Sequence, residues 1–277
     1  MKALVAVEDE GLIEALGDDG IEVVPVRTDE EREQALKEPD ISFAVADERL
    51  PFAYDLIVDV RADLDGRDRD RLPVLLLEGG WKGPARLRCL PDQCLRQGVG
   101  SDDVVRTARA IMIRRARQKR LFEQELALKV PTTPATIEQV GDIYVRLMTS
   151  AGYTDEDQVR LEHTFREAVG NAAEHGNKQD PTRTIHVTYL RTPEQILTVV
   201  RDEGSGFDHR SFLARAGSVS ALEHTRSRRE SEARPGGLGV FIMKETCDRI
   251  AFNGCGNAIY LAKRLPRHSE AAASTRS

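Results

Sequence analysis

The sequence predicts a two-domain α/β protein whose first domain holds a parallel sheet covered on both faces. Three observations carry this prediction. The chain has 277 residues, more than one average domain of roughly 100–150 residues. Its first half alternates short, uniformly apolar runs with polar, helix-compatible segments, as buried parallel strands and their crossover helices do. The segment Pro131-Thr132-Thr133-Pro134 then interrupts the helical pattern, and the second half that follows has its own helix caps and glycine loops.

Composition excludes several classes of protein. The chain is 40% hydrophobic and 31% charged, so it can build real cores and is not collagen-like, low-complexity or wholly disordered. A net charge of −6 argues against a protein built mainly to bind nucleic acid or anionic lipid. No apolar run reaches the roughly 18–20 residues of a membrane span, and the N-terminus lacks a signal-peptide core. We therefore expect no membrane contact and a cytoplasmic location.

Five apolar runs predict strands in the first domain, bounded at residues 1–102. They are Ala3–Val7, Ile21–Val26, Ile41–Ala46, Leu56–Val60 and Val74–Leu77. Ser101-Asp102-Asp103 is a plausible helix start, and the absence of Gly and Pro from Val104 to about Leu126 predicts one long helix. We expect residues 103–127 to form a connector helix whose basic residues are solvated. Its apolar stripe suits packing against a second copy of the chain, so we expect a homodimer through this helix or the second domain.

The second domain is expected over residues 128–266. Helices are predicted from about Ala135 to Ser150 and, capped by Thr154, from there to His175, where Gly176 stops the helix. Strands are predicted in four later runs: Thr184–Leu190, Ile196–Asp202, Ile250–Asn253 and Ala258–Leu265. The small, polar tail over residues 267–277 is expected to fray.

A polar row on the Thr154-capped helix is the first of three groups that predict chemistry. Leu161, Phe165, Ala168 and Ala172 form its core stripe, whereas Glu167, Asn171 and His175 follow one another at four-residue spacing on a flank. Gly170 and Asn171 are poor helix formers at a helix centre, so their reason should lie outside the helix. That flank could form the wall of a polar pocket, or it could be an exposed surface with incidental polar residues.

Two glycine-containing loops supply the other groups. An apolar strand runs directly into Asp202, and Gly204 and Gly206 follow at alternate positions, where a ligand ring could lie against bare backbone. Gly236-Gly237-Leu238-Gly239 opens onto an apolar helix that runs to about Asp248, and such a helix start with free N–H groups binds phosphate. Between the two loops lies the polar, Arg-rich segment 208–233, which is long enough to serve as a lid or to be a surface loop.

The order and spacing of these groups resemble the GHKL ATPase superfamily, whose ATP site is the Bergerat fold. The run from about Glu125 to Pro266 is more closely similar to the anti-sigma-factor serine kinases of bacterial partner-switching systems. The resemblance implies an α/β sandwich with a mixed or antiparallel sheet and helices on one face. It also implies ATP and Mg²⁺ as cofactors, an anti-anti-sigma-like protein as substrate and a sigma factor as a further candidate partner.

By that resemblance each site residue receives a role. Glu167 would be the general base, Asn171 would coordinate Mg²⁺, and Asp202 would bind the adenine amino group. The two glycine loops (Gly204 and Gly206; Gly236, Gly237, Leu238 and Gly239) would hold the ring and the triphosphate. A carboxylate and a Mg²⁺ ligand one turn apart also suit phosphoryl transfer to a hydroxyl, independently of the resemblance.

The sequence also has to be compared with two alternatives to a serine/threonine kinase, a histidine kinase and a non-catalytic module. Histidine kinases need a phosphoacceptor His upstream of the Asn-bearing helix, and this chain has no histidine before His163. Autophosphorylation of that kind is therefore excluded. A non-catalytic module, in which ATP only gates the binding of a partner, stays open as the alternative.

The first half resembles a response-regulator receiver, which has a flavodoxin-like fold. Glu8-Asp9-Glu10 after the first strand resembles the metal-binding acidic cluster, and Asp47 stands where the phosphoacceptor would be. The hydroxyl residue expected after the fourth strand is Glu78, and the expected Lys falls near Gln97. We expect a degenerate receiver in which Asp47 is the candidate phosphoacceptor, with docking or dimerisation as the alternative role.

Overall fold

Two β-sheets organise the chain, one centred in each half. The computed structural model describes residues 1–62, 72–79, 81–117, 122–208 and 238–266. The expected tail over 267–277, nearly all of the Arg-rich segment, and Gly236 and Gly237 lie outside these ranges. Among the described residues no helix is long and apolar enough to cross a membrane.

The first sheet is parallel, with the strand order β2-β1-β3-β4-β6. Its strands are β1 (Lys2–Ala6), β2 (Glu22–Pro25), β3 (Ile41–Asp47), β4 (Val74–Glu78) and β6 (Gln93–Arg96). Four helices accompany them: α1 (Glu10–Asp18), α2 (Asp29–Ala35), α3 (Ala53–Ala62) and α4 (Ser101–Arg117). This is the 2-1-3-4-5 order of flavodoxin-like folds, which confirms the receiver-like first domain.

Alternate residues of these strands face two separate cores. Val5 and Val45 pack with α1 and α4 on one face, whereas Leu4 and Ala44 pack with α3 on the other. Because both faces are covered, the central strands β1, β3 and β4 are almost entirely apolar, and this explains the uniformly apolar runs of the sequence.

The predicted strand Leu56–Val60 is wrong, because this run lies within α3. The helix is buried nearly all round, between the first sheet and the second domain, and therefore lacks a polar face. A short apolar run of this kind cannot be assigned to helix or strand by its periodicity. The strand that does occupy the sheet edge is β6, whose sequence Gln-Cys-Leu-Arg is too polar to have been recognised.

The long connector helix is shorter than predicted and does not leave the first domain. Helix α4 ends at Arg117 and packs on the first sheet through Val104, Ala108 and Ile111. Residues expected in its last turn belong instead to strand β7 (Gln124–Pro131), whose buried and solvent-facing residues alternate. That alternation was a readable strand signal, but the absence of Gly and Pro outweighed it in the prediction.

The second sheet has the order β10-β11-β9-β8-β7-β5, and each neighbouring pair is antiparallel. Besides β7 it contains β5 (Arg88–Cys89), β8 (Thr184–Arg191), β9 (Gln195–Arg201), β10 (Arg249–Phe252) and β11 (Ala258–Arg264). The helices are α5 (Pro134–Ser150), α6 (Asp155–Asn171), which continues into a π-helical turn (Ala172–Gly176), and α7 (Leu238–Thr246). The four strands predicted here are confirmed, as is the Thr154 cap on α6.

Helices α5 and α6 cover one face of this sheet. Tyr144 of α5 stacks on Phe165 of α6 with ring centroids 4.0 Å apart, and both rings are buried with Val187 and Tyr189 of β8. The opposite face carries half-exposed or exposed side chains such as Thr188 and Tyr260. The second domain is thus an antiparallel sheet with helices on one face, as the resemblance implied.

Strand β5 joins the two halves, since it comes from the first half of the chain but pairs with β7 of the second sheet. Arg88 lies opposite Lys129 and Cys89 opposite Leu128, and the amide of Leu90 donates to the carbonyl of Ala127 at 2.9 Å. One continuous core runs from α3 through these strands into the second domain. The halves therefore share a sheet and a core, which the sequence did not predict.

Candidate functional site

The polar flank of α6 brings Glu167 and Asn171 together. The Nδ2 of Asn171 donates to the Oε1 of Glu167 at 3.2 Å, and both side chains are half-buried. The predicted core stripe on the same helix is confirmed, because Leu161, Phe165 and Ala168 are all buried. Since Nδ2 is used in the contact with Glu167, the carbonyl oxygen Oδ1 of Asn171 is the atom left to bind a cation.

The helix does not stop at Gly176 in the way predicted. Its last turn, Ala172–Gly176, is π-helical, so a four-residue step no longer equals one turn and the polar row ends at Asn171. His175 is exposed. Gly176 is not among the residues with positive φ, so it is not a left-handed C′ glycine.

Gly176 is instead required by its contact with Asp202. A Cβ on Gly176 would lie 2.2 Å from the Cγ and 2.7 Å from the Cβ of Asp202. Asp202 directly follows β9, so this contact brings the end of α6 to the end of the central strand. From Gly176 back to Glu167 is nine residues, or roughly 13 Å along a helix axis. A ligand that touches both Asp202 and Glu167 must be extended.

The carboxylate of Asp202 is half-buried at the strand end. Its Oδ1 accepts a hydrogen bond from the amide of Gly204 at 2.7 Å. Burial raises the pKa of Asp202, and the hydrogen bond from Gly204 partly offsets this rise. The second oxygen, Oδ2, is the acceptor left for a ligand.

The glycines after Asp202 allow close backbone packing. A Cβ on Gly204 would lie 2.5 Å from the carbonyl oxygen of Gly176, and one on Gly206, whose φ is +80°, would lie 1.9 Å from that of Cys255. Phe207 then donates its amide to the carbonyl of Cys255 at 3.1 Å. The loop thus passes between the π turn and the β10–β11 turn, where no side chain fits.

Helix α7 starts at Leu238, as the third sequence group predicted. It packs against α6, and its Met243 joins the core of the second domain together with Cys247, the residue that follows the helix. Gly239 lies in its first turn, whereas Gly236 and Gly237 precede the described part. The helix start that could bind phosphate therefore belongs to a helix packed directly on the one that carries Glu167 and Asn171.

The donor set suits a nucleotide with Mg²⁺. Within the described residues no group of three His, Cys, Asp or Glu side chains could hold a metal ion. Mg²⁺ in proteins is commonly bound by one or two side-chain oxygens together with substrate phosphates and water. The Oδ1 of Asn171 beside the carboxylate of Glu167 fits this arrangement, and the Oδ2 of Asp202 is an acceptor that suits the amino group of a base.

Two asparagines without a predicted role hold the Asp202 loop. The Oδ1 of Asn177 accepts from the amide of Glu203 at 2.9 Å, and the Nδ2 of Asn257 donates to the carbonyls of Asp202 and Gly204 at 3.3 Å each. A buried amide that serves distant segments leaves no periodic signal in the sequence.

A separate groove of about 630 Å³ lies on the face of the sheet opposite α6. Its lining includes His186, Arg201, Glu203 and Tyr260, and reaches Asp202 at the sheet end, but it contains neither Glu167 nor Asn171. The Nε2 of His186 lies 3.8 Å from the Oε1 of Glu203. Because it is separated from the polar flank of α6 by the sheet, this groove is not the site formed by the three sequence groups.

The receiver-like site at the end of β3 is filled by the chain's own side chains. Asp47 is fully buried, and Arg49 contacts both of its carboxylate oxygens, the shortest distance being 2.5 Å from Nη2 to Oδ2. The Nε2 of Gln97 donates to Oδ1 at 2.9 Å. Burial alone would raise the pKa of Asp47, but these hydrogen bonds outweigh it and hold the pKa below its usual value.

The neighbouring acidic residues are also engaged. Arg49 lies 3.4 Å from the Oε2 of Glu8, and the side chain of Asp9 accepts from the amide of Leu12 as the N-cap of α1. A guanidinium thus supplies the positive charge beside Asp47. Phosphorylation of Asp47 stays a prediction, and it would require Arg49 and Gln97 to release the carboxylate.

Comparison with known proteins agrees with the description of the second half. Residues 130–263 match the model of the histidine kinase-like ATPase domain. The chain is 28% identical over 144 residues to serine-protein kinase RsbW of Bacillus subtilis, a match that covers 50% of this chain and 85% of that protein. It is 31% identical over 121 residues to serine-protein kinase RsbW of Bacillus licheniformis, covering 43% and 72%.

Among solved structures, the chain aligns with a signal receiver domain of a signal transduction histidine kinase from Syntrophus aciditrophicus. The identity is 18% and the TM-score 0.32, and the alignment covers 43% of this chain and 96% of that one. The strand order of the first sheet remains the basis of its description as receiver-like. The chain belongs to the histidine kinase-like ATPase family, in which its relatives are RsbW serine-protein kinases, and it carries a receiver-like domain before the ATPase domain.

Proposed function

We propose that this protein is an ATP- and Mg²⁺-dependent protein serine/threonine kinase of the anti-sigma type. The observation that carries the proposal is the contact between Glu167 and Asn171 on α6, at the helix whose far end meets Asp202. A carboxylate beside an amide oxygen, about 13 Å from a base-binding carboxylate, suits a nucleoside triphosphate with its terminal phosphate at Glu167.

Glu167 would act on the hydroxyl group of the substrate. Its carboxylate accepts the proton as the hydroxyl oxygen attacks the terminal phosphorus, and the bond from that phosphorus to the bridging oxygen breaks to release ADP. Asn171 would bind Mg²⁺ through Oδ1, and the ion supplies charge neutralisation at the phosphates. Asn171 can bind the metal through Oδ1 while its Nδ2 keeps the hydrogen bond to Glu167.

The other site residues would hold the nucleotide. Asp202 accepts a hydrogen bond from the adenine amino group, and the backbone at Gly204 and Gly206 lies along the ring. The glycine loop, Gly236, Gly237, Leu238 and Gly239, would present amides to the phosphates at the start of α7.

The substrate would be a serine or threonine of an anti-anti-sigma-like protein, because the relatives are named serine-protein kinases. A sigma factor is the second partner in this proposal, and the active species would be a homodimer. For the receiver-like half we propose a docking or dimerisation role that controls the kinase, because the ion pair of Asp47 with Arg49 opposes phosphorylation of Asp47.

The experiment combines the protein with Mg·ATP and candidate partner proteins. We expect a Ser or Thr of one partner to be labelled and ADP to be released. Glu167→Gln should abolish transfer and keep nucleotide binding, whereas Asn171→Ala should weaken the binding of Mg·ATP. If the partner binds in the presence of ATP but no ADP is formed, the protein is instead a nucleotide-gated binding module. Loss of ATP binding in Glu167→Gln would contradict the role assigned to Glu167.

A further inference from the structure

Asn177 is a fully buried side chain whose amide is hydrogen-bonded at both ends. It follows the π turn and is 0% exposed. Its Nδ2 donates to the Oγ1 of Thr132 at 2.9 Å, and its Oδ1 accepts from the amide of Glu203 at 2.9 Å. Thr132 in turn donates to the carbonyl of Arg183 at 2.9 Å. Asn177 therefore connects the end of α6 directly to the β7–α5 connection and to the residue after Asp202. Through Thr132 it is also linked to Arg183, the residue before β8.

Asn257 holds the same loop from the opposite side. The amide of Asp202 donates to the carbonyl of Asn257 at 3.0 Å, and the Nδ2 of Asn257 donates to the carbonyls of Asp202 and Gly204. The Oδ1 of Asn257 is occupied by the Nδ2 of Asn253 at 2.7 Å. Asn257 itself is thus oriented by the β10–β11 turn.

Together the two asparagines fix the main chain on both sides of Asp202. Asn257 pairs with the amide and the carbonyl of Asp202, and Asn177 pairs with the next amide in the chain. A primary amide is suited to each position because it donates at one end and accepts at the other. Asn257→Asp keeps the size of the side chain but removes the donor to the carbonyls of Asp202 and Gly204, whereas Asn177→Leu keeps the size but removes the acceptor for the amide of Glu203.

We propose that Asn177 and Asn257 are positioning residues that hold Asp202 in the orientation needed to recognise the 6-amino group of adenine. This inference rests on the proposed nucleotide site. Neither side chain needs to touch the ligand, since each acts through the loop that carries Asp202. Because a hydrogen bond to a charged group depends steeply on geometry, a small displacement of this loop removes base selectivity before it removes phosphate binding.

The test measures selectivity between two nucleotides in the full-length protein. ADP and inosine diphosphate differ at the 6-position, where inosine has a carbonyl in place of the amino group. We expect the wild-type protein to bind Mg·ADP roughly 10- to 100-fold more tightly than Mg·IDP in calorimetric titrations. In Asn257→Asp, which loses the donor to the carbonyls of Asp202 and Gly204, and in Asn177→Leu, which loses the acceptor for the amide of Glu203, this ratio should fall to within roughly threefold of one, mainly through weaker ADP binding, while the affinity for IDP changes little.

Thr198→Val is the matched control. Thr198 is also 0% exposed, lies in β9 before Asp202, and its Oγ1 is 3.4 Å from the hydroxyl oxygen of Tyr144. The substitution removes a buried hydroxyl group from the same sheet and leaves the contacts of the Asp202 loop intact. The ratio of the ADP affinity to the IDP affinity should therefore stay at the wild-type value. If Asn177→Leu does not fold, Asn257→Asp at its half-buried position decides the test.

The possible failures are distinguishable. If the wild-type protein binds neither nucleotide, the proposed function is wrong. If it binds ADP but the Asn257→Asp ratio is unchanged, or both affinities fall in proportion, the two asparagines are structural only and the inference is overturned. An equal loss of selectivity in Thr198→Val would overturn it as well.

Discussion

Two glycines near the C-terminal end of α6 should respond in opposite directions to the same substitution. At Gly176 a Cβ would lie 2.2 Å from the Cγ of Asp202 and 2.7 Å from its Cβ. Rotation of the Asp202 side chain cannot relieve the second contact, because a Cβ moves only with its main chain. At Gly170, one residue before the end of α6, a Cβ would meet nothing within 4 Å among the described residues.

The magnitudes follow from these contacts. Overpacking of a close-packed site costs roughly 1–3 kcal/mol, so Gly176→Ala should lower the free energy of unfolding by that amount. Alanine in place of glycine inside a helix gains about 1 kcal/mol, so Gly170→Ala should raise it. The two variants should therefore differ by roughly 2–4 kcal/mol, far more than the error of a denaturant titration.

Urea unfolding followed by circular dichroism gives the stabilities, and calorimetric titration with Mg·ADP gives the nucleotide affinities. Gly176→Ala should also bind ADP more weakly, because the loop that carries Asp202 must move. If Gly176→Ala proves at least as stable as the wild-type protein, the close contact with Asp202 does not exist in solution. A destabilised Gly170→Ala would show that this helix position is not open.

Three further results are expected. Because the pKa of Asp47 lies below its usual value in the folded protein, the ionised carboxylate stabilises the fold above about pH 4, and this stabilisation is lost as the pH falls through the folded-state pKa. Asp47→Asn should therefore have a lower free energy of unfolding at about pH 7, and that free energy should depend less on pH in acid. Parallel urea titrations in which both proteins show the same pH dependence would contradict this. Burial raises the pKa of the Cys89 and Cys247 thiols to about 12, whereas Cys255 is exposed, so iodoacetamide should label Cys255 in the native protein and the other two only after unfolding, as counted by mass spectrometry. Arg86 lies between the rings of Trp81 and Tyr54, at 3.8 and 4.8 Å, and donates to the carbonyl of Leu50 at 2.9 Å; Arg86→Lys should cost roughly 1–3 kcal/mol in the same unfolding assay, and a loss under about 0.5 kcal/mol would refute the stacking argument.

Local signals predicted most of the second domain. The Thr154 cap, the core stripe of α6 and the apolar start of α7 depend on residues close together in sequence, and all three are found in the structure. The same holds for Glu167 and Asn171, because their spacing alone places them one turn apart and in contact.

Signals that depend on distant neighbours were read less well. Leu56–Val60 lacks the polar face of a surface helix because the second domain covers the side of α3 that would otherwise face water, so its helical periodicity was hidden. The sequence predicts Gly176 as a helix stop. In the structure a side chain at Gly176 would collide with Asp202, twenty-six positions later in the chain. The pairing of Asn177 with Glu203 likewise depends on a contact across the fold that neither segment announces.

Strand β5 limits how the N-terminal half can be removed or exchanged for another domain. Because Arg88 and Cys89 complete the sheet of the ATPase domain, a fragment that begins at residue 124 would leave β7 as an open edge and uncover Leu126 and Leu128 from α3. Recombination that exchanged the N-terminal domain for another would have to supply a matching strand as well as a matching surface. In this chain the receiver-like half therefore supplies part of the sheet and the core of the ATPase half, and replacing it alone would expose both.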